Sequence, residues 1–251
     1  MWLKMKEGIN LVMPMGGKGS RFTNEGFEIP KPLIKIKNRP FFYWATQSLR
    51  NYIKIESLIF VVLQEHIDNF AIDKEILYYF PEAKIHVLKE VLNGAVLTCI
   101  EGIKYIENER PIVFNDCDHM FKSSRFNDYC NSSDFAKFDG ALLTFKSNDP
   151  KFSYLQCDEN GNVIKTVEKK VVSNNAICGA YYFKNKDIFM EAAEKYLEVC
   201  NYNEYFVSGV YNIMSENNYI VKNFDIDYHI PFGTPLEYKE AIKLDQFEEL
   251  K

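Results

Sequence analysis

Short apolar runs recur along the first half of the chain, each closed by a turn-forming break. Ile9-Asn10-Leu11-Val12-Met13 ends at Pro14 and a glycine cluster, and reads as a buried strand feeding a loop. Pro30-Lys31-Pro32 cannot lie inside a helix and marks an extended segment. From Pro40 to about Tyr52 the residues Phe41, Trp44, Ala45 and Leu49 fall on one helical face. Ser57 to Leu63 is a second buried strand, and a helix is expected from His66 to about Phe80, stopped by Pro81. Ile85 to Leu88 is a third strand, Asn93-Gly94 opens a helix to about Ile106, and Pro111 to Asn115 is a fourth strand ending in Asp116-Cys117-Asp118. Strands alternating with helices predict right-handed βαβ units and an α/β fold with a mainly parallel central sheet.

The pattern changes after about Asp139. Gly140 to Phe145 and Ile177 to Phe183 read as strands, and Ser153 to Cys157 with Val163 to Glu168 as a hairpin around residues 158–162. Helices are expected over about Asp187 to Val199 and Tyr205 to Ser215, a late strand over Tyr219 to Asp227, and a closing helix from Pro235 to about Leu250. The second half is thus mixed α+β. Without a repeat, a low-complexity tract or a long linker, residues 1–251 are expected to form one domain, with a boundary of character near residues 139–140.

Composition narrows the partners. The 251 residues are 47% hydrophobic and 26% charged, enough apolar material for a core, and the net charge of −5 lacks the basic footprint of a duplex nucleic-acid binder. No two of the six cysteines lie close enough for a zinc knuckle or a CxxC pair, which suits a reduced, cytoplasmic protein. Lys4, Lys6 and Glu7 interrupt Met1 to Met15, so no signal-peptide core is expected there, and no apolar run reaches bilayer length.

Ligands of open α/β sheets bind beyond the carboxyl ends of the strands. Three segments fall there: the glycine loop, the Asn93-Gly94 turn, and Asp116 to Asp118. In the loop Met15-Gly16-Gly17-Lys18-Gly19-Ser20-Arg21, backbone N–H groups can approach phosphate oxygens while Lys18, Arg21 and the nearby Lys31 add charge. A plain tight turn is the competing reading. The dinucleotide fingerprint is absent, because Phe22 stands at its third glycine, and the P-loop is absent, because Gly19 follows Lys18. Asp116 and Asp118, two apart in extended chain, could hold Mg²⁺ together with phosphates and water; a solvated turn is the alternative. Glu168-Lys169-Lys170 has the form of an exposed charge run, His119 of a structural histidine, and Tyr154 is a candidate pocket wall.

Met13 to Phe22 followed by Pro30-Lys31-Pro32-Leu33-Ile34 resembles the opening of the sugar-phosphate nucleotidyltransferases, a glycine-rich loop and then a PKP segment. The likeness continues through Val113 to Phe121, Val167-Glu168-Lys169, Gly179 to Phe183, Asn203 to Phe206 with Tyr211-Asn212, and Gly233-Thr234-Pro235. The nearest subgroup is that of capsule and lipopolysaccharide gene sets. The resemblance implies a Rossmann-like, glycosyltransferase-A type fold in three layers, α/β/α, with a nucleotide-binding first half and an acceptor-binding second half. It implies transfer of a nucleotidyl group from a nucleoside triphosphate to a phosphorylated acceptor, with release of pyrophosphate and with Mg²⁺ as cofactor.

By position, residues 15–20 with Asn93 and Gly94 would bind the nucleotide, Arg21 the leaving phosphates, and Lys31 the α-phosphate. Asp118 would hold the metal, Glu168 the acceptor hydroxyls and Lys169 the acceptor phosphate, while Gly179 would leave room for the acceptor ring and Tyr154 line its pocket. One departure is Pro231, which stands where the family carries a second metal aspartate; Asp116, Asp225 and Asp227 are the substitutes in reach along the chain. A cytidylyltransferase for a polyol or other non-sugar phosphate, a binding-only relative, and a metal-dependent glycosyltransferase are the competing functions. The base, the acceptor and the oligomeric state are not legible in the sequence.

Overall fold

The computed structural model describes residues 8–248. The apolar runs at residues 9–13, 58–63 and 112–115 become strands buried on both faces, as parallel strands between helical layers must be, while the run at 85–88 forms a partly exposed edge strand. β1 (Ile9–Pro14) leads through the glycine loop into a one-turn helix, α1 (Ser20–Thr23), then a 3-10 turn (Lys31–Leu33), the small hairpin β2 (Lys35–Ile36) and β3 (Arg39–Pro40), and α2 (Phe41–Arg50). There follow β4 (Ile55–Leu63), α3 (Gln64–Phe70), α4 (Ile72–Tyr79), β5 (Lys84–Leu88), α5 (Ala95–Ile103) and β6 (Ile112–Asn115). The second half adds β7 (His119–Lys122), α6 (Ser124–Cys130), β8 (Gly140–Lys146), β9 (Tyr154–Cys157), β10 (Val163–Val167) and β11 (Asn175–Phe183). It closes with α7 (Lys186–Val199), α8 (Val207–Glu216), β12 (Val221–Asp225), β13 (Tyr228–Pro231) and α9 (Pro235–Ala241).

A nine-stranded sheet has the spine β10-β9-β11-β6-β1-β4-β5, with β8 pairing β11 and β12. β6, β1, β4 and β5 are mutually parallel, and β11 joins β6 antiparallel, so strands from both halves share one sheet. The two-residue period sorts the side chains: Leu11, Met13, Leu58, Phe60 and Val62 enter one hydrophobic cluster, and Val12, Ile59, Val61 and Leu63 the other. α2, α4 and α6 cover the first face; α5, α7 and α8 cover the second. This is the Rossmann-like three-layer arrangement. Each fully buried Phe or Leu contributes about 1.5–3 kcal/mol, so the large aromatics Phe41, Phe60 and Phe114 anchor the layers.

Four elements differ from expectation. The helix expected over 66–80 breaks at Ala71, which adopts a left-handed φ of 50°. At about 100° per residue, an unbroken helix would place Ile72 and Ile76 well away from the face of His66. The break re-phases the chain, so that all three are buried. Pro30-Lys31-Pro32 is not wholly extended: Lys31 and Pro32 begin the 3-10 turn, where the missing N–H of Pro32 costs nothing. The closing helix stops at Ala241, and a 3-10 turn over Gln246–Glu248 folds the chain back so that Phe247 packs on Trp44 with ring centroids 4.9 Å apart. Leu250 lies outside the described residues. The late strand is confined to β12, and the residues after it form β13, which pairs antiparallel with β7 and sets Pro231 opposite His119.

Candidate functional site

Strand order reverses between β1 and β6, and the chain ends that leave this switch point carry the charged groups. The Lys31 Nζ donates to Asp118 Oδ2 at 2.8 Å, with both side chains about a quarter exposed, at 27% and 23%. Burial works against the charge on each. The attraction between them, with Cys117 and Asp116 adding to it on the lysine side, overcomes that penalty, so Lys31 is raised and Asp118 lowered. Asp116 goes the other way. Burial and the like charge of Asp118 raise it to about 7 against the pull of Lys31.

Two glycines shape these carboxylates. Gly179 has φ 99°, and a Cβ there would lie 2.7 Å from Asp116 Oδ2, while Asp116 N–H donates to the Gly179 carbonyl at 2.9 Å. The absence of a side chain at Gly179 is thus needed by Asp116. A Cβ at Gly233 would lie 2.4 Å from Asp118 Oδ2, and Phe232 N–H donates to the Asp118 carbonyl at 2.9 Å. The β13–α9 turn thus seats Asp118, in the place where the sequence lacks a second metal aspartate.

A cavity of about 490 Å³ opens beside these groups. Arg21, Asp116 and Asp118 line it together with Lys151, Phe152, Ser153, Glu168, Lys169 and Phe206. A recess formed by Gly19, Ser20, Arg21, Lys31 and Gly233 shares Arg21 and Gly233 with the cavity. Lys169 has a left-handed φ of 49°, reaches Glu204 at 3.8 Å and lies over the Phe206 ring at 4.8 Å. Glu168 accepts hydrogen bonds from Ser153 and Ser208, and burial nonetheless leaves its carboxyl raised.

The structure thus brings Arg21, Lys31, Asp116, Asp118, Glu168, Lys169 and Gly179 to one cavity and its recess. It does not bring every expected residue there. Lys18 points into a separate groove with Glu65, His66 and Asn69. The Met15 side chain is buried and its N–H is donated to the Val61 carbonyl at 2.8 Å, leaving the carbonyl as its free polar group. The Asn93-Gly94 turn is tied to Tyr205, which donates to the Asn93 carbonyl at 3.3 Å and accepts from Val96 N–H at 3.1 Å, and it does not line the cavity. Tyr154 is fully buried and spends its hydroxyl on the Asp149 carbonyl, so it is core rather than pocket wall. Asp225 faces Arg125 and Lys146, and Asp227 accepts from Ser124 N–H at the start of α6, so neither replaces the aspartate missing at Pro231.

Other wall residues were not singled out: Lys151, Phe152, His229 and Glu237 reach the cavity from distant segments, and only the Gly233-Thr234-Pro235 tripeptide signalled that region. Lys151 bridges Asp149 at 3.0 Å and Glu237 at 3.1 Å. His119 is buried, bonds Asn115 Oδ1 through Nε2 at 3.0 Å, and is lowered by desolvation to about 4, so it stays neutral and structural.

Among the described residues no cluster of three or more His, Cys, Asp or Glu could hold a metal alone. Asp116 and Asp118, both on the cavity wall, nevertheless suit a hard divalent cation, which takes one or two carboxylates and completes its shell with phosphate and water. No helix among the described residues is long and apolar enough to cross a membrane.

The sequence model of the nucleotidyl transferase family matches residues 10–243. A D-glycero-alpha-D-manno-heptose 1-phosphate guanylyltransferase of Campylobacter jejuni is 27% identical over 231 residues, covering 89% of this chain and 94% of that protein. The fold is similar to that of a nucleoside-diphosphate-sugar pyrophosphorylase from Vibrio cholerae, with TM-score 0.80 at 21% identity over 93% of this chain and 100% of that one. It is also similar to an inositol-1-phosphate CTP transferase from T. maritima, with TM-score 0.75 at 18% identity over 95% and 97% of the two chains.

Proposed function

The chain belongs to the nucleotidyl transferase family, and from that premise we propose that it transfers a nucleoside monophosphate from a nucleoside triphosphate to a sugar phosphate, releasing pyrophosphate. The observation that carries this reading is the Lys31–Asp118 pair at the sheet's switch point, between the glycine loop and a cavity that also holds Glu168 and Lys169. An acceptor phosphate oxygen attacks the α-phosphorus in line. A new P–O bond forms as the bond to pyrophosphate breaks, and the electron pair leaves with pyrophosphate. The protein forms no covalent bond, so positioning and charge stabilisation carry the rate.

In this assignment the backbone of Gly16 to Ser20 cradles the triphosphate, Arg21 steadies the leaving phosphates, and Lys31 neutralises charge on the α-phosphate. Lys169 holds the acceptor phosphate and Glu168 its hydroxyls. Mg²⁺, held by Asp118 with Asp116 beside it and by phosphate oxygens, would offset the remaining charge. Entry of an anionic triphosphate gives Lys31 a second partner and frees Asp118 toward the cation.

The heptose 1-phosphate guanylyltransferase likeness makes GTP with a heptose 1-phosphate the first pair to assay. The product would be an activated sugar for a surface polysaccharide. The test is pyrophosphate release with GTP, CTP, UTP, ATP and dTTP, each with Mg²⁺ and a panel of sugar 1-phosphates and polyol phosphates. Release with one base and one sugar phosphate is expected. Release only with CTP and a polyol phosphate would shift the assignment to the cytidylyltransferase alternative, and selective nucleotide binding without turnover would point to a binding-only protein.

A further inference from the structure

We propose that Ser153, Ser208 and Asn212 are positioning residues that hold the Glu168 carboxyl in one orientation at the acceptor end of the cavity, and so set the affinity for acceptor hydroxyls. The proposal rests on the assignment of Glu168 to the acceptor. It starts from the backbone. β10, the strand that delivers Glu168, is an edge strand, with β9 on one side and no strand on the other. Its open side is closed by α8. Asn212 Oδ1 accepts from Thr166 N–H at 2.7 Å, and Asn212 Nδ2 donates to the Thr166 carbonyl at 3.1 Å. One side-chain amide thus satisfies both backbone groups of Thr166, as a neighbouring strand would. Thr166 Oγ1 adds a bond to the Ser208 carbonyl at 2.7 Å, and Thr166 is 3% exposed. Two residues before Glu168, the chain has no freedom to slide.

The carboxylate itself is gripped from both sides. Ser153, which precedes β9 and faces Glu168 across the hairpin, donates to it. Ser208, from α8, donates to Glu168 Oε1 at 3.2 Å. A carboxylate offers about four lone-pair sites, so two hydroxyl donors leave capacity for the hydroxyls of a ligand. Burial favours the neutral acid, and both serine bonds oppose it. The charged groups that act on Glu168 besides these are Lys169, which favours ionisation, and Glu204, which opposes it; Glu168 in turn bears on Asp116 and Tyr181. A carboxyl held in one orientation with free lone pairs is a suitable partner for the hydroxyls of a sugar or polyol phosphate, whereas a swinging glutamate would lose that orientation.

The experiment has two arms. With the acceptor found in the pyrophosphate-release panel, Ser153→Ala and Ser208→Ala should each raise the acceptor KM about five- to tenfold, with kcat and the nucleotide KM nearly unchanged, the signature of lost ground-state binding. Ser208→Thr, which keeps the hydroxyl, should restore KM. Asn212→Ala, remote from the ligand, should raise the same KM in the same direction. The second arm needs no substrate: in the free protein, the ¹³C resonance of the Glu168 carboxyl is followed with pH. Its apparent pKa should rise by about half a unit or more in Ser153→Ala. An unmoved titration overturns the clamp. A moved titration with unchanged acceptor KM overturns its role in acceptor binding. Failure of the wild-type protein to use any acceptor removes the activity assignment, and with it the acceptor role, while the titration still decides whether the clamp exists.

Discussion

The two ends of the cavity are built on different plans. At the nucleotide end the groups are close in sequence, within residues 16–31 plus Asp116 and Asp118, and they sit at the ends of parallel strands. Arg21 there has no ion pair among the described residues, while Lys31 is held by Asp118 at 2.8 Å. At the acceptor end the groups come from the loop before β9, the end of β10, the start of α8 and α9, and the cations are already engaged: Lys151 by Asp149 and Glu237, Lys169 by Glu204. A guanidinium without an ion pair, beside exposed backbone, suits phosphates of any nucleotide. An end whose charges are mutually satisfied gains nothing from charge alone. A ligand must replace existing partners in the right geometry, which is how hydroxyl patterns are told apart.

The sharpest way to break that contrast is Lys31→Ala. If Lys31 stabilises charge developing at the α-phosphate, kcat should fall about 10²-fold or more, with the acceptor KM little altered. The same change should release Asp118 from its lowered state, because the lysine charge that opposes the burial penalty is gone. Steady-state kinetics with each substrate varied in turn gives the answer, and a near-normal kcat would remove Lys31 from the chemistry.

This contrast also explains what was legible in the sequence. The parallel half could be read because each strand is one continuous apolar run and its chemistry follows directly at the strand end, as in Met13 to Arg21 and Asn115 to Asp118. The acceptor end could be read only where a short motif survived, as at Glu168-Lys169. His229 and Glu237 are brought in by β7 pairing with β13, a four-residue ribbon with no periodicity to detect, and Lys151 reaches Glu237 from the loop before β9. The same ribbon leads into Gly233, whose packing against Asp118 depends on three-dimensional contact and not on composition. Ala71 was missed for another reason: only the need to bury Ile72 and Ile76 forces a left-handed alanine into an otherwise helical stretch.

Gly179→Ala tests the seam between the two ends. The substitution forces an L side chain into φ 99° and against Asp116, so Asp116 must shift. We expect kcat/KM to fall about tenfold or more, from misplacement of groups at the nucleotide end, together with a stability loss of about 1–3 kcal/mol. Denaturant unfolding and kinetics on the same sample separate the two effects.

A smaller effect concerns the shared floor beneath both ends. Desolvation holds His119 neutral at about 4, below the ordinary 6.5. Because the unfolded chain takes up the proton first as pH falls, stability is fully present above pH 6.5 and is lost progressively toward about 4. Near pH 5.5 this amounts to roughly 1 kcal/mol. His119→Asn should flatten that part of the stability–pH curve, whatever constant cost the substitution adds; a slope identical to that of the wild-type protein would show that His119 is not the group responsible.

The smallest expected effect sharpens the comparison most directly. Lys151 is 44% exposed and shared between two carboxylates, so as a structural tie it is worth at most about 1 kcal/mol. If the acceptor end works by exchange of partners, Lys151→Ala should leave Glu237 free to bind hydroxyls differently. The acceptor KM should then change about threefold while the nucleotide KM stays fixed. Lys151→Arg keeps the charge and the reach to both carboxylates, and should stay close to wild type. A change confined to the nucleotide KM would mean that the positive charge of Lys151 reaches the phosphates, and the division of the cavity into an open-charge end and a satisfied end would have to be redrawn.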